Sequence, residues 1–421
     1  MDILIANGST LVMIAAAVGF FIALGIGAND VANAMGTSVG SKALTIKQAI
    51  IIAMVFEFAG AYLAGGEVTS TIRKGIIDPA LFVDIPELLV YGMISALLAA
   101  ATWLLVASIL GWPVSTTHSI VGAIIGFAAI GVSPDTVAWG KVGGIVGSWI
   151  ITPLISGVIA FLIFNSAQKL IFDTEKPLEQ ARRWVPLYMF LAGFVLSLVT
   201  IKKGLKHLGL NVPTADGFIY AIVVAVIVAM IGKVFINRLK FDDSAAKTTH
   251  YANVEKVFAI LMIVTACCMA FAHGSNDVAN AIGPLAAVVS IVDNGGEIAK
   301  KSALVWWILP LGGFGIVAGL ALFGHKVIAT IGQGITHLTP SRGFAAELAA
   351  ACTVVIASGA GLPISTTQTL VGAVLGVGMA RGIAAINLGV VRNIVVSWVI
   401  TLPVGAGLSI VFFWIMKAIF S

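Results

Sequence analysis

Charge is scarce in this sequence. Of 421 residues, 24 are Lys or Arg and 19 are Asp or Glu, 10% in all, against about 25% in a soluble domain, whose surface needs them. A chain that is 59% hydrophobic cannot cover a water-facing surface of its size, so soluble-enzyme classes are excluded. Cysteine is rarer still: Cys267, Cys268 and Cys352 all fall in apolar helical patterns. They read as buried small hydrophobes, not as a disulfide framework. No dense basic run with interleaved aromatics accompanies the net charge of +5. Nucleic acid is therefore not an expected partner, and the excess of Lys and Arg reads as the positive-inside bias of membrane loops. There is no H-E-x-x-H, clustered histidine or nucleophile–base pair, so neither catalysis nor a resident cofactor is expected. Met1 to Gly8 carries no Lys or Arg; the following apolar run lacks a signal-peptide n-region and reads as a mature span.

Long apolar runs are what the chain has instead. Twelve lie between Thr10–Gly27 and Leu388–Met416, and spans of about 20 residues suit a bilayer. The expected fold class is an all-α polytopic membrane protein of about 12 transmembrane segments. Two charged stretches stand apart, Gln168–Arg183 and Asn237–Lys256, and read as aqueous loops flanking a pair of spans.

The chain also repeats itself. Gly27–Ala34 reads GANDVANA and Gly274–Ala281 reads GSNDVANA, identical at seven of eight positions. Gly111–Gly126 (GWPVSTTHSIVGAIIG) and Gly361–Gly376 (GLPISTTQTLVGAVLG) agree at nine of sixteen. Ser148, Trp149 and Thr152 recur as Ser397, Trp398 and Thr401, and Thr71–Ile76 recurs as Thr330–Ile335, in the same order. Residues 1–167 and 250–421 are therefore read as homologous halves, joined by a two-span linker at 168–249. Such duplication is a signature of secondary transporters. An odd number of crossings in the first half would invert the second, and inverted repeats with broken helices or hairpins are expected.

Each ND-x-x-N motif places two amides and a carboxylate in apolar sequence: Asn29, Asp30 and Asn33, then Asn276, Asp277 and Asn280. A charge in hydrocarbon costs at least about 2.5 kcal/mol, so its default reading is functional. Carboxylate and amide oxygens are hard ligands suited to Na+ or a proton. Glu57 and Glu347 are further ionisable groups within apolar runs and join the candidate cation site. A polar network joining helices is the competing reading of both groups, and duplication weakens it for the ND-x-x-N pair. Pro113 to Thr117 and Pro363 to Thr367 each follow a Gly that ends an apolar run. They read as a chain break and then a helix start, with Ser115, Thr116 and Thr117 at one tip and Ser365, Thr366 and Thr367 at the other. Helix starts bind anions, and two that face each other would hold a tetrahedral oxyanion; plain capping is the alternative. His118 is matched by Gln368, so no histidine pair is expected, and a hydrogen-bonded helix residue is the simpler reading of His118.

The doubled NDVAN motif, the doubled P-[VI]-S-T-T motif and VFEFAGAYLAGGEVTSTIRKGI resemble the inorganic phosphate transporter (PiT) family over about Phe20–Phe413. The resemblance implies cation-coupled symport of inorganic phosphate by alternating access in the cell (plasma or inner) membrane, with Na+ as the coupling ion at Asp30 and Asp277. It implies phosphate on the Ser-Thr-Thr tips, a cation role for Glu57 and Glu347, and a homodimer in the lipid bilayer. Proton coupling, a metal-phosphate substrate and sulfate remain alternatives.

Overall fold

The computed structural model describes every residue except 1, 111, 113, 242–246, 299–303, 332–337, 382–387 and 421. The described residues are almost entirely helical, with no strand. The first half comprises α1 (Asp2–Asn29), α2 (Val31–Gly40), α3 (Ile46–Ala64), α4 (Gly66–Lys74), α5 (Pro86–Leu110), α6 (Thr116–Gly126) and α7 (Trp139–Ala167). The linker pair is α8 (Pro177–Lys202) and α9 (Thr214–Asn237). Then follow α10 (Lys247–Asp293), α11 (Ile308–Ile331), α12 (Pro340–Gly359), α13 (Thr366–Arg381) and α14 (Leu388–Phe420).

Ten spans are long and apolar enough to cross a membrane among the described residues. The other two of the twelve expected apolar segments are α6, whose apolar stretch runs from Thr116 to Val132, and α13, of 16 residues. At 1.5 Å per residue each is about 25 Å long, short of the roughly 30 Å hydrocarbon core. Both are the second limbs of hairpins, entered from α5 and α12 across the breaks just before Thr116 and at 360–365. Gly361 takes the left-handed conformation, φ 70°, just past the end of α12, where glycine carries no steric penalty.

The halves grip each other reciprocally. α1 packs on α11 and α3 on α10; α7 packs on α13 and α14 on α6. Small residues let these backbones close, the usual basis of helix association in lipid. A Cβ at Gly60 would strike the Phe271 carbonyl and one at Gly274 the Glu57 carbonyl. The corresponding pairs, Gly319 with Leu24 and Gly27 with Ile316, repeat the contact. Side chains such as Ile150, Leu154 and Val158 on α7, and Ile219, Val223 and Ile227 on α9, point outward, as a surface solvated by lipid requires.

Candidate functional site

Two kinds of local structure converge at the centre. The ND-x-x-N motif of the first half lies where α1 breaks into α2, with Asp30 between them at φ −83° and ψ −10°. Its counterpart lies inside the unbroken α10. The Ser-Thr-Thr motifs start α6 and α13. Ser115 accepts from the His118 N–H and Ser365 from the Gln368 N–H, at 3.3 Å each, so both serines are N-caps.

The contacts between them are crossed. Thr116 Oγ1 donates to Asp30 Oδ2 at 3.1 Å, and Thr366 Oγ1 to Asp277 Oδ2 at 2.8 Å, each within its own half. Asn33 Nδ2 donates to Thr367 Oγ1 at 2.7 Å, and Asn280 Nδ2 to Thr117 Oγ1 at 3.0 Å, each into the other half. Asn280 Nδ2 also reaches Thr116 Oγ1 at 3.2 Å. Asp30, Asp277, Asn33, Asn280 and five of the six tip residues, Ser115, Thr116, Thr117, Ser365 and Thr366, are buried, and Thr367 is half-buried. The structure thus brings two carboxylates, two amides and four threonine hydroxyls into one buried cluster.

Oxygens without a protein partner mark where a cation would fit. Asn276 Oδ1, Asp277 Oδ1 and Asn280 Oδ1 are buried and accept no hydrogen bond. A buried acceptor left bare costs about 1–3 kcal/mol, and three from one motif are hard-oxygen groups of the kind that could serve a cation. Asn29 and Asn276 themselves serve as ties. Asn29 Nδ2 donates to Ser108 Oγ at 3.0 Å, and Asn276 Nδ2 to Ser358 Oγ at 3.0 Å and to the Leu362 carbonyl at 3.1 Å. Each fastens its motif to the end of the first limb of a hairpin.

The two glutamates are not equivalent. Glu57 reaches the central cluster through His273, which the sequence reading passed over. His273 Nδ1 is 3.2 Å from Glu57 Oε1 and Nε2 is 3.0 Å from Asp277 Oδ2, all of them buried. These are ion-pair distances without hydrogen-bond alignment. One oxygen each of Asp30 and Asp277 and one ring nitrogen of His273 lie within 4.8 Å of one another. The signal was available: His273 precedes Asp277 by four residues and shares its helix face. At the corresponding place before Asp30 stands Ile26. Glu347 lies elsewhere. Its Oε1 accepts from Ser38 Oγ at 2.6 Å and from Thr37, and its Oε2 from Thr265 Oγ1 at 2.8 Å. Thr265 precedes Asp277 by twelve residues, about 18 Å along α10. Glu347 therefore forms a second buried polar cluster that shares no residue with the first. Of the expected tip residues, Pro113 falls outside the described residues.

The sequence as a whole has relatives. Residues 26–409 match the model of the phosphate transporter family. The chain belongs to that family. It is 59% identical over 421 residues to a phosphate permease of Haemophilus influenzae, all of both chains being covered. It is 44% identical over 420 residues to the chloroplastic inorganic phosphate transporter 2-1 of Arabidopsis thaliana, covering 96% of this chain and 72% of that one. Among solved structures it matches a sodium-dependent phosphate transporter with a TM-score of 0.90 and 41% identity, over 97% of this chain and 100% of the other. The transporter is thus a multi-pass helical membrane protein, as its composition requires.

Proposed function

We propose that the transporter carries inorganic phosphate together with Na+ across the cell membrane, by alternating access of two inverted repeats around the Asp30–Asp277 centre. The observation that carries this reading is the crossed set of Asp–Thr and Asn–Thr contacts between the two halves. A phosphate placed at the two helix starts would meet the carboxylates of Asp30 and Asp277. Two like charges in a low-dielectric site repel it strongly. Cations on Asp30 Oδ, Asp277 Oδ1 and the amide oxygens of Asn276 and Asn280 remove that repulsion.

The threonines supply the link. Each hydroxyl has one proton to give. While the carboxylates are bare, Thr116 and Thr366 donate to them. Once a cation occupies the carboxylate, the same hydroxyls turn to the phosphate, joining the free N–H groups of α6 and α13 and the positive ends of their dipoles. Cation binding thereby both neutralises the site and releases its donors, and phosphate without cation finds neither. The sodium dependence in the name of the matched solved structure supports Na+ as the ion, and the resemblance to the family supports a homodimer.

Proton coupling is the second reading, favoured by His273 between Glu57 and Asp277. Uptake of ³²P-phosphate into proteoliposomes under imposed gradients decides between them. The Na+ reading expects uptake driven by a Na+ gradient at equal pH on both sides. Uptake that follows only the pH gradient overturns it, and equal uptake with neither gradient overturns coupling altogether.

A further inference from the structure

The two Ser-Thr-Thr tips are alike in sequence but not in how they are held. Three successive carbonyls of the second tip each accept a side-chain hydrogen bond. Leu362 accepts from Asn276 Nδ2 at 3.1 Å, Pro363 from Trp149 Nε1 at 2.9 Å and Ile364 from Thr117 Oγ1 at 2.9 Å. The counterparts of these donors in the repeat are Asn29, Trp398 and Thr367. Among the described residues none of the three reaches the first tip. Asn29 Nδ2 donates to Ser108 Oγ, Thr367 Oγ1 accepts from Asn33, and Trp398 Nε1 is buried with no acceptor. Exposure follows the same division. Asn276 and Ser358 are 0% and 1% exposed, whereas Asn29 is half-buried, Ser108 is exposed and Trp112 is 44% exposed. The frame around the tips does not differ in this way. α7, which carries Trp149, packs on α13, and α14, which carries Trp398, packs on α6. The register matches too: a Cβ at Gly372 would strike the Pro153 carbonyl, and one at Gly122 the carbonyl of Leu402, the residue that matches Pro153. The Trp398 carbonyl oxygen is 3.5 Å from Nδ1 of His118, one residue past the first tip. Trp398 thus stands beside the first tip as Trp149 stands beside the second.

We infer that Trp149 and Trp398 hold the two tips in turn: Trp149 fastens the second tip in the state seen here, and Trp398 fastens the first tip in the state of opposite access. The inference rests on alternating access of the two halves around the tips. An indole N–H can only donate, and a buried donor without an acceptor is rare in a folded protein. Its place in the repeat supplies the reason for the bare N–H of Trp398. In the opposite state Trp398 Nε1 gains an acceptor on the first tip and Trp149 Nε1 gives up its own. One indole bond is kept in each state, so the exchange favours neither. Both tryptophans are positioning residues, acting on phosphate only through the tips.

Maleimide labelling kinetics of the purified full-length transporter test this. S358C or S108C is introduced as the single cysteine, with Cys267, Cys268 and Cys352 replaced by alanine, and each is combined with W149F or W398F. Phenylalanine keeps an aromatic ring and removes the N–H. Ser358 is buried here, so S358C reacts in proportion to the opposite state, however sparsely that state is populated. S108C, exposed already, is the reference thiol and should label faster than S358C. W149F should speed labelling of S358C about two- to tenfold, and W398F should slow it by a similar factor, as the loss of one hydrogen bond from one state or the other implies. Faster labelling of S358C in both variants marks two packing residues whose loss loosens the fold, and overturns the inference. An unchanged rate in W398F overturns it as well, and so does S108C labelling no faster than S358C when both tryptophans are present. If W149F does not elute as a folded protein in size-exclusion chromatography, W398F alone decides. Uptake of ³²P-phosphate into proteoliposomes by the unsubstituted protein keeps the two readings apart. A protein that moves no phosphate refutes alternating access itself, whereas an active one with both rates raised refutes only the alternating hold.

Discussion

Asp30 and Asp277 present the sharpest chemical contrast with their surroundings: two carboxylates, 5% and 1% exposed, in a structure otherwise built from apolar helices. Asp30→Asn and Asp277→Asn keep size and hydrogen-bonding capacity and remove charge. Burying an amide is cheaper than burying a carboxylate, so both variants should insert and fold. Gradient-driven phosphate uptake should collapse in each, since the cation loses its counter-charge and the phosphate loses the cation. A Na+ titration of uptake, with size-exclusion chromatography as the folding check, measures this; wild-type Na+ dependence in either folded variant returns that aspartate to a structural role. The hydroxyls make a separate prediction. Thr116→Ala and Thr366→Ala each remove a donor that phosphate would use. A hydrogen bond to a charged group contributes about 1.5–3 kcal/mol, which is roughly ten- to a hundredfold in affinity. Cation binding without phosphate should change far less. Unaltered phosphate affinity in both alanine variants would leave the tips as helix caps only.

At the scale of elements, the packing depends on glycine where backbone meets backbone. A methyl at Gly60 has nowhere to go, because the Phe271 carbonyl occupies its place. Gly60→Ala should force α3 and α10 apart and lower stability by about 1–3 kcal/mol. Gly143→Ala on α7 meets nothing within 4 Å. It should be neutral, or up to about 1 kcal/mol stabilising through helix propensity. Thermal unfolding of the two purified variants checks the contrast, and equal melting temperatures would remove the close approach as a cause. Element identity was largely legible in the sequence, because apolar length and Gly-Pro breaks each have a local physical cause. The caps at Ser115 and Ser365 were readable for the same reason. Partnership between distant residues was not. Nothing local links Glu347 to Thr37, Ser38 and Thr265, or Glu57 to His273. Those contacts exist only once α2, α10 and α12, or α3 and α10, have packed.

The whole molecule makes one further demand, on how the two halves lie in the bilayer. The packing is reciprocal, α1 on α11 answering α10 on α3 and α7 on α13 answering α14 on α6, as a two-fold axis between the halves would produce. The repeats are inverted if that axis lies in the membrane plane, and then corresponding segments face opposite sides. Thr71–Ile76 runs across the close of α4, and its sequence counterpart is Thr330–Ile335, of which residues 332–335 lie outside the described residues. The linker pair supplies a reference. α8 and α9 are both long and apolar enough to span, which would put the start of α8 and the end of α9 on one side. The chain around those two ends, residues 168–183 and 237–256, holds Lys169, Lys176, Arg182, Arg183, Arg238, Lys240, Lys247 and Lys256, while the opposite end of the pair holds Lys202, Lys203 and Lys206. The more basic side should be cytoplasmic. The measurement starts from a transporter whose Cys267, Cys268 and Cys352 are replaced by alanine and which still takes up phosphate. Single cysteines then go in at Lys74, Gln333 and Lys240 and are treated with an impermeant maleimide, on intact cells and on inside-out vesicles. Lys74→Cys and Gln333→Cys should label from opposite sides, and Lys240→Cys from the cytoplasmic side. Labelling of the first two from one side would make the repeats parallel. Alternating access would then need a motion other than the exchange of two inverted halves about a fixed central site.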